Sequence, residues 1–124
     1  PELLRSSDVV SLHVPLDDTT RGMLTAERIA LMRPTAVLIN TARGAIVNES
    51  DLFEALQSNR IAGAGLDVFQ KEPLAPDSPL LSLPNVVLSP HSAGITPEAM
   101  EAGLALAIEN VFSFLAGLPV NVVV

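Results

Sequence analysis

Residues 36–68, AVLINTARGAIVNESDLFEALQSNRIAGAGLDV, contain the pattern that decides the fold. Two short apolar runs, residues 36–40 and 62–68, have the aliphatic composition of strands buried on both faces of a sheet. Residues 49–59 lie between them and have the periodicity of an amphipathic helix. The order strand, helix, strand predicts a unit in which the two strands run parallel.

The same alternation continues on both sides of this unit. Residues 9–14 (VVSLHV) and 86–89 have the length and composition of further strands, and residues 120–124 form a strand-like tail. Four prolines between residues 73 and 84 indicate an irregular loop. The chain is therefore predicted to be an α/β protein built on a parallel sheet.

Two short helices are predicted from their capping residues. Thr25 is placed to cap a helix over residues 26–32, which ends before the next proline. Asn48 is placed to cap the helix over residues 49–59, with Asp51 in the position of a capping box. The buried face of this second helix is expected to carry Leu52, Ala55, Leu56 and Asn59.

A longer helix is predicted near the end of the chain. Thr96 has the position of an N-cap, Pro97 that of the first helical residue, and Gly117 that of the C-terminal stop. This helix is expected to be core or subunit interface. Its predicted buried face consists of Met100, Leu104, Ile108, Val111 and Leu115.

Composition excludes several classes of protein. Of the 124 residues, 48% are hydrophobic and 17% charged, which is enough for a packed core and argues against disorder. The net charge of −7 makes nucleic acid a poor partner. The absence of cysteine excludes disulfides, thiolate zinc sites and thiol catalysis. No apolar run reaches the ~18 residues of a membrane span, so no membrane association is expected. No metal site is expected either, and the absence of cysteine fits the predicted cytoplasmic location.

Reactive side chains follow three of the predicted strands. Ligands of open parallel sheets bind outside the carboxyl ends of the strands, and Arg43, Asp67, Glu72 and His91 would meet at that edge. A cation can hold a substrate carboxylate, and an imidazole can move a proton. A neighbouring carboxylate would favour the protonated imidazole and fix its tautomer.

Each of these residues also has a structural interpretation. Arg43 could be a solvated arginine at a turn, and Asp67 could cap a turn. Glu72 could be an exposed loop acid, and His91 could be a structural histidine hydrogen-bonded to the backbone. His13, near the end of a predicted strand, is interpreted as structural. The glycines at 63 and 65 are not a dinucleotide fingerprint, because they lie within a strand, lack a third glycine and are not followed by a helix.

Four blocks of sequence resemble the D-isomer-specific 2-hydroxyacid dehydrogenases. They are residues 13–20 (HVPLDDTT), 40–44 (NTARG), 65–73 (GLDVFQKEP) and 89–96 (SPHSAGIT). The similarity covers nearly the whole chain, and its order and spacing agree with the family. It points to the members that act on phosphoglycerate, hydroxypyruvate and glyoxylate.

The resemblance implies catalytic roles for three residues. Arg43 is similar to the arginine that binds the carboxylate and carbonyl of the substrate. His91 is similar to the general acid for reduction of a 2-keto acid, which is the base in the reverse direction. Glu72 is similar to the orienting partner of that histidine, and it argues against the formate dehydrogenase branch, which has glutamine there.

The resemblance also implies a cofactor, NAD, with NADP left open. Asp67 is similar to the residue that contacts the nicotinamide carboxamide, and Thr41 and Ala42 would line the cofactor through their backbone. The full set of expected cofactor-binding residues is Pro15, Thr20, Thr41, Ala42, Arg43, Asp67, His91 and Gly94.

The chain departs from the family in what it lacks. Complete members have a G-x-G-x-x-G loop and a substrate domain, neither of which occurs in these 124 residues. The resemblance thus implies a partial Rossmann-like, doubly wound parallel sheet. Residues 1–118 would be the later part of the NAD(P)-binding domain, and residues 119–124 would run toward the missing domain.

The expected parent is a homodimeric oxidoreductase of small D-2-hydroxy acids, of which this chain is a fragment. A catalytically silent, corepressor-like relative and an inactive structural fragment stay as alternatives.

Overall fold

A parallel sheet of four strands forms the centre of residues 1–91. The strands are β1 (Val9–Leu12), β2 (Val37–Asn40), β3 (Gly63–Leu66) and β4 (Val86–Leu88), and they pair in the order β1-β2-β3-β4. The registers join the last residues of the strands in one row, Leu12, Asn40, Leu66 and Leu88. The predicted parallel sheet is confirmed, and the segments that follow the strands all start from one edge.

The computed structural model describes residues 1–123, which divide into two compact units. The first unit is Pro1–His91 and the second begins at Ser92. Among the described residues, no helix combines the length and the apolar composition that crossing a membrane requires.

Three short helices accompany the sheet in the first unit. They are α1 (Glu2–Ser6), α2 (Ala26–Ile29) and α3 (Glu49–Gln57), together with 3-10 turns at Gly44–Ile46 and Pro79–Ser82. Each strand and helix predicted for this unit exists, but most are one to three residues shorter than predicted. His13 and Val14, for example, lie beyond the end of β1.

The caps of α2 and α3 differ from the prediction. Thr25 is the N-cap residue of α2, as predicted, but within the described residues its side chain makes no capping hydrogen bond to the helix. The Asp51 carboxylate of α3 accepts the Ala26 N–H instead, at 2.8 Å from Oδ2. A charged acceptor at a helix N-terminus is a stronger cap than a hydroxyl. Asn48 does cap α3, since its Oδ1 accepts the Asp51 N–H at 3.3 Å, but the Asp51 side chain does not complete a capping box.

The core is almost entirely aliphatic, and Phe69 is its one buried aromatic side chain among residues 1–123. The buried face of α3 carries Leu52, Ala55 and Leu56, but Asn59 is exposed. The prediction that Asn59 belongs to this buried face was wrong, because α3 ends at Gln57 and Asn59 has a non-helical φ of 54°. Other side chains less than 2% exposed include Ile29, Met32, Leu38, Ile46, Ile61 and Leu80.

The second unit consists of one helix, α4 (Pro97–Leu115), and its flanking segments. Thr96 caps it as predicted, with Oγ1 accepting the Ala99 N–H at 3.1 Å, and Gly117 follows it with a φ of 75°. No described residue of α4 is buried, so the interpretation of its apolar face as core was wrong, because a single helix has no second element in its own unit to pack on. The alternative, a subunit interface, stays a prediction. Residues 120–123 do not form the strand predicted over 120–124, whose last residue lies outside the described part.

Candidate active site

The turn after β2 is built by the side chain of Asn40, which is only 1% exposed. Its Oδ1 accepts the Ala42 N–H at 3.1 Å, and its Nδ2 donates to the Arg43 carbonyl at 3.0 Å. A buried amide left unbonded would cost ~1–3 kcal/mol, so these two bonds fix the shape of the turn. The turn leaves Arg43 exposed, with its Nη1 donating to the Ala42 carbonyl at 2.6 Å.

The residue after Arg43 packs directly on the segment that follows β3. A Cβ atom built on Gly44 would lie 1.9 Å from the carbonyl carbon of Phe69 and 2.1 Å from its oxygen. Only a residue without a side chain allows two backbones to approach so closely. The Arg43 turn and the loop leading to Glu72 are therefore in backbone contact.

Glu72 and His91 form the central pair of the site. The Oε2 atom of Glu72 lies 2.7 Å from Nδ1 of His91, and its Oε1 accepts the Phe69 N–H at 3.0 Å. Both side chains are partly accessible, with 35% of Glu72 and 47% of His91 exposed. The hydrogen bond from His91 lowers the pKa of Glu72, and the Phe69 N–H and the charge of Arg43 act in the same direction. The predicted partnership between these two residues thus has the required geometry.

His91 has an unusual backbone conformation. Its φ is 55°, in the left-handed region that residues other than glycine adopt infrequently. Its N–H donates to the Asp67 carbonyl at 2.8 Å, which ties it to the end of β3. Strained backbone of this kind is concentrated at functional sites, where neighbouring contacts hold it.

Asp67 is buried at the carboxyl end of β3, with 3% of its surface exposed. Its Oδ1 accepts the hydroxyl of Ser89 at 2.5 Å, so the residue after β4 helps to hold the carboxylate after β3. A buried carboxylate requires hydrogen-bond partners of this kind.

A depression of about 700 Å³ lies at the ends of β1 and β2. It is lined by His13, Val14, Pro15, Leu16, Thr41, Ala42 and Arg43. Apolar side chains from one loop face a hydroxyl and a guanidinium from the other, a combination that suits the ring and ribose of a dinucleotide. Four of the predicted cofactor-binding residues, Pro15, Thr41, Ala42 and Arg43, therefore line a single depression.

Thr20 and Gly94, which were also predicted to bind the cofactor, do not line this depression. Thr20 shapes its own loop, because its hydroxyl donates to the Pro15 carbonyl at 2.7 Å and accepts the Asp17 N–H at 2.9 Å. Gly94 belongs to the second unit, in the segment between His91 and α4. A smaller cavity of about 360 Å³ adjoins Glu72 and His91 and is mostly apolar, with Leu74, Leu81 and Leu88 in its wall.

Sequence reasoning did not identify Asn40, Gly44, Ser89 and Glu49 as builders of the site. Asn40 had a signal, because it is a polar residue at the end of an otherwise apolar strand. Glu49 had none, since its carboxylate accepts the N–H of Gln70, 21 residues away, at 3.0 Å. Such contacts depend on the folded arrangement rather than on local pattern.

Comparison with known proteins identifies a family. Residues 1–93 match the model of the NAD binding domain of D-isomer specific 2-hydroxyacid dehydrogenases. A glyoxylate reductase of Korarchaeum cryptofilum is 47% identical over 123 residues, which are 98% of this chain and 37% of the relative. A hydroxypyruvate reductase of Blautia hydrogenotrophica is 42% identical, over 98% of this chain and 38% of its own length.

Solved structures agree with this assignment. An acyclic imino acid reductase in complex with NADPH and D-Arg superimposes with a TM-score of 0.92 at 46% identity, over 99% of this chain and 39% of that one. The predicted Rossmann-like α/β fold is confirmed. The chain spans less than two fifths of the length of each of these three relatives.

Proposed function

This chain belongs to the D-isomer specific 2-hydroxyacid dehydrogenase family, within its NAD binding domain, and we propose that it carries the acid–base and carboxylate-binding residues of an NAD(P)-dependent oxidoreductase. The substrates would be a small D-2-hydroxy acid and the corresponding 2-keto acid. Glyoxylate and hydroxypyruvate are the preferred 2-keto acids, because relatives over 40% identical are named for their reduction.

The observation that carries the proposal is the pairing of Glu72 with His91. Because Nδ1 of His91 is engaged by the Glu72 carboxylate at 2.7 Å, we assign proton transfer to Nε2. The carboxylate fixes the tautomer and stabilises the charged imidazole. In the reducing direction Nε2 donates a proton to the carbonyl oxygen of the keto acid, and in the oxidising direction it accepts the hydroxyl proton.

Arg43 would bind the substrate carboxylate. Its guanidinium is exposed on the turn that Asn40 shapes, and its charge also acts on Glu72. A planar fork of N–H donors matches a carboxylate in two parallel hydrogen bonds. Such a clamp would orient the keto acid with its carbonyl toward His91, which is the main contribution of positioning to the rate.

The cofactor would supply the hydride that adds to the carbonyl carbon. Pro15, Thr41 and Ala42 would hold it at the depression beside β1 and β2, with Asp67 at the end of β3. Thr20 would act indirectly, by shaping the loop that contains Pro15. The role of Gly94, the division at residue 118, a homodimeric parent and a cytoplasmic location stay predictions.

The test is a substitution of His91 in the protein expressed from the complete reading frame that contains this chain. His91→Ala should lower kcat with glyoxylate or hydroxypyruvate by roughly 10²–10⁴, the usual contribution of a positioned acid–base group. Its affinity for NADH, measured by calorimetry, should stay within a few-fold of the parent. Near-normal turnover of the variant would show that another group moves the proton, and an inactive parent protein would favour the corepressor-like alternative.

A further inference from the structure

Two consecutive N–H groups hold the loop between β3 and β4 in place. The Phe69 N–H donates to Oε1 of Glu72 at 3.0 Å, which is a bond within the loop. The next N–H, that of Gln70, donates to Oε2 of Glu49 at 3.0 Å. Glu49 is the first residue of α3, so the second bond fastens the Glu72 loop to a helix elsewhere in the fold.

Burial does not by itself fix the Glu72 side chain. Glu72 and the neighbouring Gln70 are exposed, and about a third of the Glu72 side chain is accessible to solvent. Exposed ion pairs hold a geometry weakly, because water competes for both partners. The pairing of Glu72 with His91 therefore needs a loop that other contacts have already positioned.

Glu49 lies on a helix whose position is fixed, so it can hold the loop in place. Its helix is capped by Asn48 and anchored in the core by Leu52 and Leu56, each 1% exposed. The segment between β2 and α3 also contacts this loop, because Gly44 packs against the backbone of Phe69. This segment and the first residue of α3 thus contact the Glu72 loop at two adjacent residues, Phe69 and Gln70.

From these contacts we propose that Glu49 is a positioning residue, which holds the Phe69–Glu72 loop so that Glu72 stays in register with His91. The inference rests on the proposed function of Glu72 and His91. Glu49 touches neither substrate nor cofactor in this role, and it acts through the Gln70 N–H. Its side chain needs an acceptor oxygen at the end, but not a charge.

Glu49 also has a simpler possible role, because an acidic residue in the first turn of a helix is favoured by the helix dipole. Three variants of the protein from the complete reading frame separate the two roles. Glu49→Ala removes both the acceptor and the charge, whereas Glu49→Gln removes only the charge. Glu54→Ala removes a charge from an exposed position on the same helix and is the matched control.

The expected result is a selective loss of turnover. Glu49→Ala should lower kcat about tenfold, within the ~10² that a misplacement of about 1 Å can produce. Its KM values for the keto acid and NADH should stay within twofold of the parent. Glu49→Gln and Glu54→Ala should both keep the kcat of the parent, because the Gln70 N–H retains its acceptor in each.

A second readout does not depend on turnover. The exchange of the Gln70 N–H with solvent, followed by NMR without cofactor or substrate, should be faster in Glu49→Ala than in the parent protein, because this N–H has lost its acceptor. Glu49→Gln and Glu54→Ala should keep the exchange rate of the parent.

Specific results would overturn the proposal. An unchanged kcat and an unchanged exchange rate of the Gln70 N–H in Glu49→Ala would show that the loop does not depend on Glu49. Equal impairment of Glu49→Gln and Glu49→Ala would assign the effect to charge at the helix terminus. If the parent protein does not turn over at all, the proposed function fails, while the exchange of the Gln70 N–H still decides whether Glu49 holds the loop.

Discussion

Replacing Gly44 with alanine is expected to separate the Arg43 turn from the Glu72 loop. The new Cβ would lie 1.9 Å from the carbonyl carbon of Phe69, and also 2.5 Å from its Cα. Ordinary contacts of a Cβ begin at 3.4 Å, so one of the two backbones must move by about 1.5 Å. No side-chain rotation can relieve the clash, because all the atoms concerned belong to the main chain.

The size of the effect follows from that displacement. Overpacking a well-ordered site destabilises a protein by about 1–3 kcal/mol, and a clash between backbones belongs at the upper end of that range. We therefore expect Gly44→Ala to lose about 2–3 kcal/mol of unfolding free energy. A shift of about 1 Å between Arg43 and the pair of Glu72 and His91 would also lower turnover by up to ~10².

Urea unfolding followed by circular dichroism measures the first effect, and steady-state kinetics with a 2-keto acid and NADH measures the second. Gly103→Ala is the matched control, since a Cβ at Gly103 meets no described atom within 4 Å. That change lies within α4 and should be neutral or stabilising by up to about 1 kcal/mol. A Gly44→Ala protein with the stability and kcat of the parent would refute the close-packing argument.

Two further predictions concern pH and the isolated chain. The pKa of Glu72 is lowered, first by the hydrogen bond from His91, from its ordinary value of 4.5. The ionised Glu72 carboxylate therefore contributes fully to the free energy of unfolding above pH 4.5, and this contribution is lost as pH falls through the lowered pKa. In urea unfolding, the difference in stability between the parent and Glu72→Gln should be larger at pH 7 than at pH 3. The 124-residue chain by itself should show no turnover and weak NADH binding in calorimetry, because its sequence has no glycine-rich loop for the pyrophosphate; micromolar binding with turnover would contradict this.

The sheet could be predicted because its signals are local. Each strand is a short aliphatic run, and parallel pairing follows from the segments that separate the runs. Once the strands are parallel, whatever follows them must meet at one edge. This is why the sequence alone groups Arg43, Asp67 and His91, although it does not give the distances between them.

The hydrogen bonds that hold the elements around the site together could not be predicted, since each joins residues that are far apart in sequence. Asp51 caps a helix that begins 25 residues earlier, and Glu49 binds an N–H 21 residues later. The same reason explains why Thr25 occupies the N-cap position of α2 but leaves the capping hydrogen bond to Asp51. Local propensity ranks the hydroxyl as a good cap, but it contains no information about a carboxylate that tertiary structure brings to the same N–H.

The buried polar residues of the described chain show where the fold departs from what stability alone would select. Within residues 1–123 there are two, Asn40 and Asp67, and both lie at the carboxyl ends of neighbouring strands. His91, with its left-handed backbone, is hydrogen-bonded to the second of them. An aliphatic residue at position 40 or 67 would avoid the desolvation of a polar group, but it would leave the Arg43 turn or the Ser89 hydroxyl without its partner. Departures from local rules that gather at one edge of a sheet are expected at a functional site rather than in a passive core, and here they surround the same three side chains to which the chemistry is assigned.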